Sequence, residues 1–313
     1  MSIKPPQLQP GDVIGIVAPA SDIKLELLEA GMAELHRLGF RTKYFDSITE
    51  KSRYTAGSDE RRAQELNAVF ADRAVKAVFA ARGGYGCSRL LPLLDREVIR
   101  AHPKIFMGYS DITTLLLFFQ QLFNWIVFHG PMVTREFAGG EGQYDRDLLL
   151  RVLCRAEPAG EIDTAGARIL HPGATRGKLV GGCLPMLAGS LATECELDTR
   201  DAILFIEDYA SKPYQIDRML THLQAAGKLD HVRGLIFGEM TDCIQHPEQG
   251  YAIVDVIEAC VGDLNAPVLF GLRSGHSDNR NLVLPLGVEV TLDCSSANAT
   301  LTMEEPAVTE ALG

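Results

Sequence analysis

Three segments of this chain carry side chains that together suit acyl transfer. Ser110 stands in Phe106-Met107-Gly108-Tyr109-Ser110-Asp111-Ile112-Thr113. Glu207 and Asp208 follow the apolar run Ile203-Leu204-Phe205-Ile206. His276 stands in Gly271-Leu272-Arg273-Ser274-Gly275-His276-Ser277-Asp278-Asn279. A hydroxyl becomes a nucleophile when a base removes its proton, and a third group must fix the tautomer of that base. Serine, acid and histidine supply one of each, in that chain order. Spacing alone does not bring them together.

The surroundings of Ser110 sharpen the reading. Lys104 to Met107 reads as the end of a buried strand, and Leu115-Leu116-Leu117-Phe118-Phe119 opens an apolar segment of helical length. A serine at a strand-to-helix corner has its hydroxyl pushed out of the fold. The free N–H groups at the start of the helix then point at whatever the hydroxyl attacks. The spelling is G-Y-S-D, which is not the G-x-S-x-G of α/β-hydrolases. The plainer alternative is a helix cap, because Ser and Asp are the preferred cap residues.

A second loop competes for attention. Arg82-Gly83-Gly84-Tyr85-Gly86 follows the strand-like Ala77-Val78-Phe79-Ala80. Glycines there allow close backbone approach and leave N–H groups free, so one of them and the Asp111 N–H could bind an oxyanion. A plain turn is the alternative. The spacing is neither a dinucleotide fingerprint nor a P-loop. Two other histidines rival His276: His129, in Phe128-His129-Gly130-Pro131, and His222, inside a helical segment. Asp217 and Arg218 read as structural charges on that same segment.

The elements that must position these residues alternate. Val13 to Ala18 reads as a strand buried on both faces. Leu25 to Leu38 has apolar residues at helical spacing, and Gly39 stops it. Arg41 to Phe45 is a strand, Asp59 to Phe70 a helix, and Ala77 to Ala80 and Lys104 to Met107 are strands. Alternation of this kind predicts an α/β fold with a doubly wound parallel sheet, whose ligands bind beyond the carboxyl ends of the strands. Both the Ser110 corner and the glycine loop fall there. The expected division is an N-terminal α/β domain over 1–140, a linker region over 141–176 and a C-terminal mixed α/β, β-rich domain over 177–313. The polar, Gly- and Pro-containing texture from Ala138 to Gly177 suggests the linker.

Composition narrows the classes of function. The 313 residues are 46% hydrophobic and 23% charged, with a net charge of −11. Clustered Lys and Arg of the kind phosphate backbones require are missing, so no nucleic-acid partner is expected. The longest apolar stretch, near Leu115 to Phe128, is broken by Gln120, Gln121 and Asn124, so no membrane span is expected. The seven cysteines form no C-x-x-C pair and the eight histidines no metal-binding spacing. No metal is expected, and scattered thiols suit a reducing compartment.

Taken together, the motifs resemble the LD-carboxypeptidase family of muramoyltetrapeptide carboxypeptidases, which also includes microcin C immunity peptidases. The resemblance is carried by Arg82-Gly83-Gly84-Tyr85-Gly86 and by Gly108-Tyr109-Ser110-Asp111-Ile112-Thr113. It continues in Glu207-Asp208 with Pro213-Tyr214-Gln215-Ile216-Asp217-Arg218-Met219-Leu220, and in Gly275-His276 with Leu284-Pro285-Leu286-Gly287. In all it runs from Pro10-Gly11-Asp12 to Gly287. It implies a serine peptidase with Ser110 as nucleophile, His276 as general base and Glu207 as the acid that orients it. The N–H groups of Asp111 and Gly84 would form the oxyanion hole, with Gly83 as the alternative donor. Gly83 and Tyr85 would line the substrate site. On charge grounds Arg82 is a partner for a terminal carboxylate. The implied reaction removes the terminal D-alanine of cytoplasmic muropeptides in cell-wall recycling, without a cofactor and in a homodimer. An immunity-type peptidase acting on peptidyl-nucleotides and a non-catalytic small-peptide binder are the alternatives.

Overall fold

The computed structural model describes residues 2–277 and 280–311; Asp278 and Asn279, in the expected histidine loop, lie outside the described residues. The first part of the chain builds strands β1 (Val13–Val17), β2 (Arg41–Lys43), β3 (Val75–Ala80), β4 (Ile105–Gly108) and β5 (Val127–His129). These five are parallel, in the order β5-β4-β3-β1-β2. All four residues of β4 are buried, as expected of a central strand covered on both faces.

Helices α1 (Leu25–Arg37), α2 (Asp59–Ala71), α3 (Arg96–Ala101) and α4 (Thr113–Phe123) fall in the same part. Ser58 caps α2 by accepting the Arg61 N–H at 3.2 Å, and Asn124 ends α4 in the left-handed conformation. Leu115, Leu116, Leu117, Phe118 and Phe119 of α4 are all buried. A helix apolar around its whole circumference needs cover on every side. It is found between β4 and β5 of its own sheet and the later helix α6.

The polar segment 141–176, read above as a linker, is built into the fold. It carries α5 (Arg146–Cys154), β6 (Gly160–Ile162) and β7 (Arg168–His171), and both strands join the second sheet. Then follow β8 (Ala174–Cys183), α6 (Leu184–Gly189), β9 (Ala202–Tyr209), α7 (Pro213–Ala225), β10 (Gly234–Thr241), α8 (Ile253–Val261) and β11 (Val268–Leu272). The last strands are β12 (Leu284–Leu286), β13 (Glu289–Asp293) and β14 (Thr300–Met303). The second sheet is mixed, in the order β6-β14-β13-β8-β9-β10-β11-β7, with β8 to β11 parallel.

Glycines 177, 181 and 182 interrupt the apolar signature of β8. Their reason is a close approach by other atoms: a Cβ on Gly182 would lie 2.6 Å from Thr113 at the start of α4. The Cys183 N–H donates to Thr113 Oγ1 across the same contact. Strand β12 breaks the simple division of the chain. It pairs antiparallel with β5, so the C-terminal part returns one strand to the first sheet. The connection from β11 to β12, which carries His276, therefore bridges the two sheets.

Candidate active site

Each element that ends at this bridge contributes a side chain. Ser110 follows β4, the glycine loop follows β3, His129 ends β5, Glu207 and Asp208 lie near the end of β9, and His276 lies beyond β11. The parallel strands of both sheets thus bring their carboxyl ends to one place.

Ser110 has φ +65°, a left-handed conformation that a non-glycine residue adopts at a cost. The extended Tyr109 precedes it and a tight turn over Ser110–Ile112 leads into α4. Neither Ser110 nor Asp111 caps the helix through its side chain. The Asp111 carboxylate instead accepts the Cys87 N–H at 2.8 Å, tying the corner to the segment after the glycine loop. Burial pushes the pKa of this carboxyl up.

The glycine loop is shaped around the serine. A Cβ on Gly83 would lie 2.7 Å from Ser110 Cβ and 2.9 Å from Oγ. Ser21 holds the loop: its N–H donates to the Gly83 carbonyl at 3.3 Å, and its Oγ accepts the Tyr85 N–H at 3.2 Å. Among the described residues no hydrogen bond engages the N–H of Gly84 or of Asp111. Gly83→Ala is therefore expected to lower kcat by on the order of 100-fold through displacement of Ser110. Its melting temperature should stay within a few degrees of wild type. Undiminished kcat would show that the corner does not depend on this contact.

Glu207 is completely buried. Its Oε2 accepts Nδ1 of His276 at 2.7 Å and the His276 N–H at 3.3 Å. Burial alone would raise the pKa of this carboxyl. The two imidazoles of His276 and His129 outweigh that effect and hold it well below the usual carboxylate range. A carboxylate only accepts, so Nδ1 of His276 carries the proton and Nε2 of the neutral ring is the free base. A Cβ on Gly275 would lie 2.5 Å from Glu207 Oε2, so the pairing requires glycine before the histidine.

The His276 ring is held on two sides. Tyr209 stacks on it at 4.9 Å and 17°, and Tyr109 meets it edge-on at 4.9 Å and 88°. Thr241 Oγ1 donates to its carbonyl at 2.6 Å. The Tyr109 hydroxyl donates to buried Glu136 at 2.6 Å. Among the described residues no hydrogen bond joins Ser110 Oγ to His276. Such bonds commonly tighten only around substrate.

A cavity of about 540 Å³ opens over these groups. Ser110, Asp111, Gly83, Gly84, Arg82, Asp208 and His276 all line it. Tyr85 does not; it lines an adjoining cavity of about 440 Å³ that shares Asp111 with the first. His222 is exposed on α7, and Arg218 lies over Tyr214 on the same helix. Arg135 is a cavity residue that sequence reasoning missed. Its guanidinium lies 5.9 Å from the Tyr109 ring centroid and 6.0 Å from that of Tyr209. A usable signal existed: a charged pair, Arg135-Glu136, follows the carboxyl end of the buried strand β5 by only a few residues. Among the described residues no group of three or more His, Cys, Asp or Glu is placed to hold a metal ion.

Asp208 has a titration consequence. Burial, the largest cause, pushes its carboxyl up to about 6, and the neighbouring Glu207 charge adds to the shift; hydrogen bonds from Ser211 and the Tyr209 N–H oppose it. Because the folded value lies above the unfolded one, folding favours the protonated acid. That contribution is full below about pH 4 and is lost as pH rises through 6. Asp208→Asn should therefore gain stability relative to wild type across this window, by at most about 3 kcal/mol. Urea unfolding of both proteins at pH 4 and pH 8 measures the difference. A difference independent of pH would refute it.

Comparison with known proteins places the chain. Residues 14–130 match the model of the LD-carboxypeptidase N-terminal domain, and residues 176–292 match that of the C-terminal domain. A probable murein peptide carboxypeptidase of Bacillus subtilis is 34% identical over 96% of this chain and 95% of its own length. The microcin C7 self-immunity protein of Escherichia coli is 28% identical over 93% of each chain. The crystal structure of muramoyltetrapeptide carboxypeptidase from Oxalobacter formigenes superimposes with a TM-score of 0.83 at 26% identity. The match covers 94% of this chain and 99% of that one.

Proposed function

Because the chain belongs to the LD-carboxypeptidase family, we propose that it is a serine peptidase that removes the terminal D-alanine from murein tetrapeptides. The observation that carries this reading is the 2.7 Å contact of buried Glu207 with Nδ1 of His276, beside a cavity whose wall also holds Ser110 in a strained corner. Ser110 Oγ attacks the carbonyl carbon of the L,D bond while its proton passes to Nε2 of His276. The N–H groups of Gly84 and Asp111 stabilise the oxyanion, each donor supplying roughly 3 kcal/mol. The C–N bond then breaks as His276 protonates the leaving amine. Water, deprotonated by His276, cleaves the ester, and the proton returns to Ser110. The guanidinium groups of Arg82 and Arg135 on the cavity wall suit the terminal carboxylate. With this reading go a place in cytoplasmic recycling of cell-wall peptides and a homodimeric assembly, which light scattering on the eluted protein tests.

Similarity to the immunity protein raises the second reading, a peptidyl-nucleotide as substrate. A nucleobase calls for an aromatic platform. Trp125, the one tryptophan of the sequence, is buried in the core. Tyr209, on the cavity wall, already stacks on His276. Both observations favour the muropeptide. The test compares kcat/KM on L-Ala-γ-D-Glu-meso-diaminopimelate-D-Ala with that on glutamyl sulfamoyl adenosine. The proposal expects the tetrapeptide to lead by at least about 100-fold; the reverse order would overturn it.

A further inference from the structure

His129 is fully buried at the end of β5, where the mechanism above makes no use of it. Its Nε2 lies 3.7 Å from Glu207 Oε1, and its Nδ1 lies 3.3 Å from Ser274 Oγ. The Phe205 ring meets it edge-on at 5.0 Å and the Tyr109 ring lies 5.7 Å away. Glu207 Oε1 and His129 Nε2 are both buried and neither has a hydrogen-bond partner among the described residues, so each is left facing the other at 3.7 Å, with the buried Cys183 thiol also beside the carboxylate. One carboxylate therefore stands between two imidazoles: His276 on Oε2 and His129 on Oε1.

The proton inventory follows from the neighbours. Ser274 Oγ also lies 3.0 Å from the Leu282 carbonyl, which only accepts. If the hydroxyl donates to that carbonyl, Nδ1 of His129 must donate to Oγ. In a neutral ring Nε2 is then bare and turns a lone pair toward Glu207. If the hydroxyl turns to Nδ1 instead, the neutral ring carries its proton on Nε2. Of the two arrangements of a neutral ring, the second puts the N–H on the Glu207 side, and it is the one taken here.

We infer that His129 is a positioning residue for the catalytic acid: its Nε2–H holds Glu207 Oε1, so that Oε2 stays committed to His276 Nδ1. The inference rests on the serine-peptidase reading given above. The fold supplies the reason for a contact across the chain. β5 pairs with β4, whose end leads to Ser110, and on its other side with β12, which follows the His276 loop. His129 is thus fixed to the nucleophile strand and to the histidine loop at once. Its contact with Glu207 of β9 registers the second sheet against the first at the point where the three reacting residues must meet.

Two substitutions and one spectrum test this. His129→Leu fills the site without a donor; His129→Gln returns an N–H at the position of Nε2. On the tetrapeptide, His129→Leu is expected to lose kcat on the order of 10- to 100-fold with KM within about threefold. His129→Gln should retain most of the wild-type kcat. A residue that only filled the core would give the opposite order, because a buried amide costs more than a leucine in an apolar pocket. In the wild type, long-range ¹H–¹⁵N spectra of the imidazoles should show His129 protonated at Nε2. A glutamine variant no faster than the leucine variant, or an unprotonated Nε2, would overturn the inference. The spectrum requires neither substrate nor folded variants. Absence of D-alanine release by the wild type would count against the peptidase reading and leave the His129 question to the spectrum.

Discussion

Ser110→Ala is expected to abolish D-alanine release, lowering kcat by at least about 10⁴-fold, while the protein stays folded and still binds the tetrapeptide. The hydroxyl forms the acyl bond, and no neighbouring side chain can take its place. Loss of a nucleophile that acts as one unit with its base removes the whole contribution of that unit. The fold should be indifferent, because Ser110 Oγ makes no hydrogen bond among the described residues and alanine suffers the same left-handed backbone as serine. Steady-state release of D-alanine, with circular dichroism on the same sample, measures both parts. A folded alanine variant with more than about one hundredth of wild-type kcat would remove Ser110 from the mechanism.

Glu207→Gln is the second large expected effect, a loss in kcat of roughly 10³- to 10⁴-fold. An amide in place of the carboxylate removes the negative charge that stabilises the imidazolium. It can also turn its NH₂ toward Nδ1 of His276, which then keeps its proton on Nε2 and ceases to be a base for Ser110. The near-isosteric change keeps the contact with the histidine intact, so KM should change little. Stability has a sign of its own. The Glu207 pKa is depressed on folding, so its charge stabilises the fold above the ordinary carboxylate range, and this contribution fades as pH falls through the folded value. The glutamine variant should lose stability against wild type at neutral pH and draw level with it in acid. Equal turnover by the two proteins would mean that His276 is not oriented by this acid.

Much of this arrangement was legible in the sequence, and the reasons are local. The Ser110 corner could be read because a buried strand, a serine and an apolar helix follow one another within about twenty residues. Gly83 could be read because a glycine after a strand signals close approach, although only the structure identifies Ser110 as the atom approached. Glu207 stood out as an acid at the end of an apolar run. The loop residue His276 was harder, since its 2.7 Å partner lies 69 positions away in the chain.

What escaped is non-local. Residues 141–176 look like a linker because β6 and β7 are short edge strands of the second sheet with little apolar patterning. β8 is disguised by glycines that make room for α4 and for β9. The crossing of β12 into the first sheet cannot be seen in its three residues, Leu284, Pro285 and Leu286. Arg135 enters the cavity only because the turn after β5 folds back beside Tyr109 and Tyr209. His129 read as a rival base; burial beneath Glu207 gives it a different place.

The most direct measurement of the central claim, a covalent acyl intermediate on Ser110, is trapping by an added nucleophile. The protein would be incubated with L-Ala-γ-D-Glu-meso-diaminopimelate-D-Ala in the presence of hydroxylamine, and the products read by mass spectrometry. The account predicts that the tripeptide hydroxamate appears beside the free tripeptide in proportion to hydroxylamine, with one D-alanine released for each, and that Ser110→Ala forms neither. Release of D-alanine by the wild type with no hydroxamate at any hydroxylamine concentration would contradict an acyl-enzyme and, with it, the role given to Ser110.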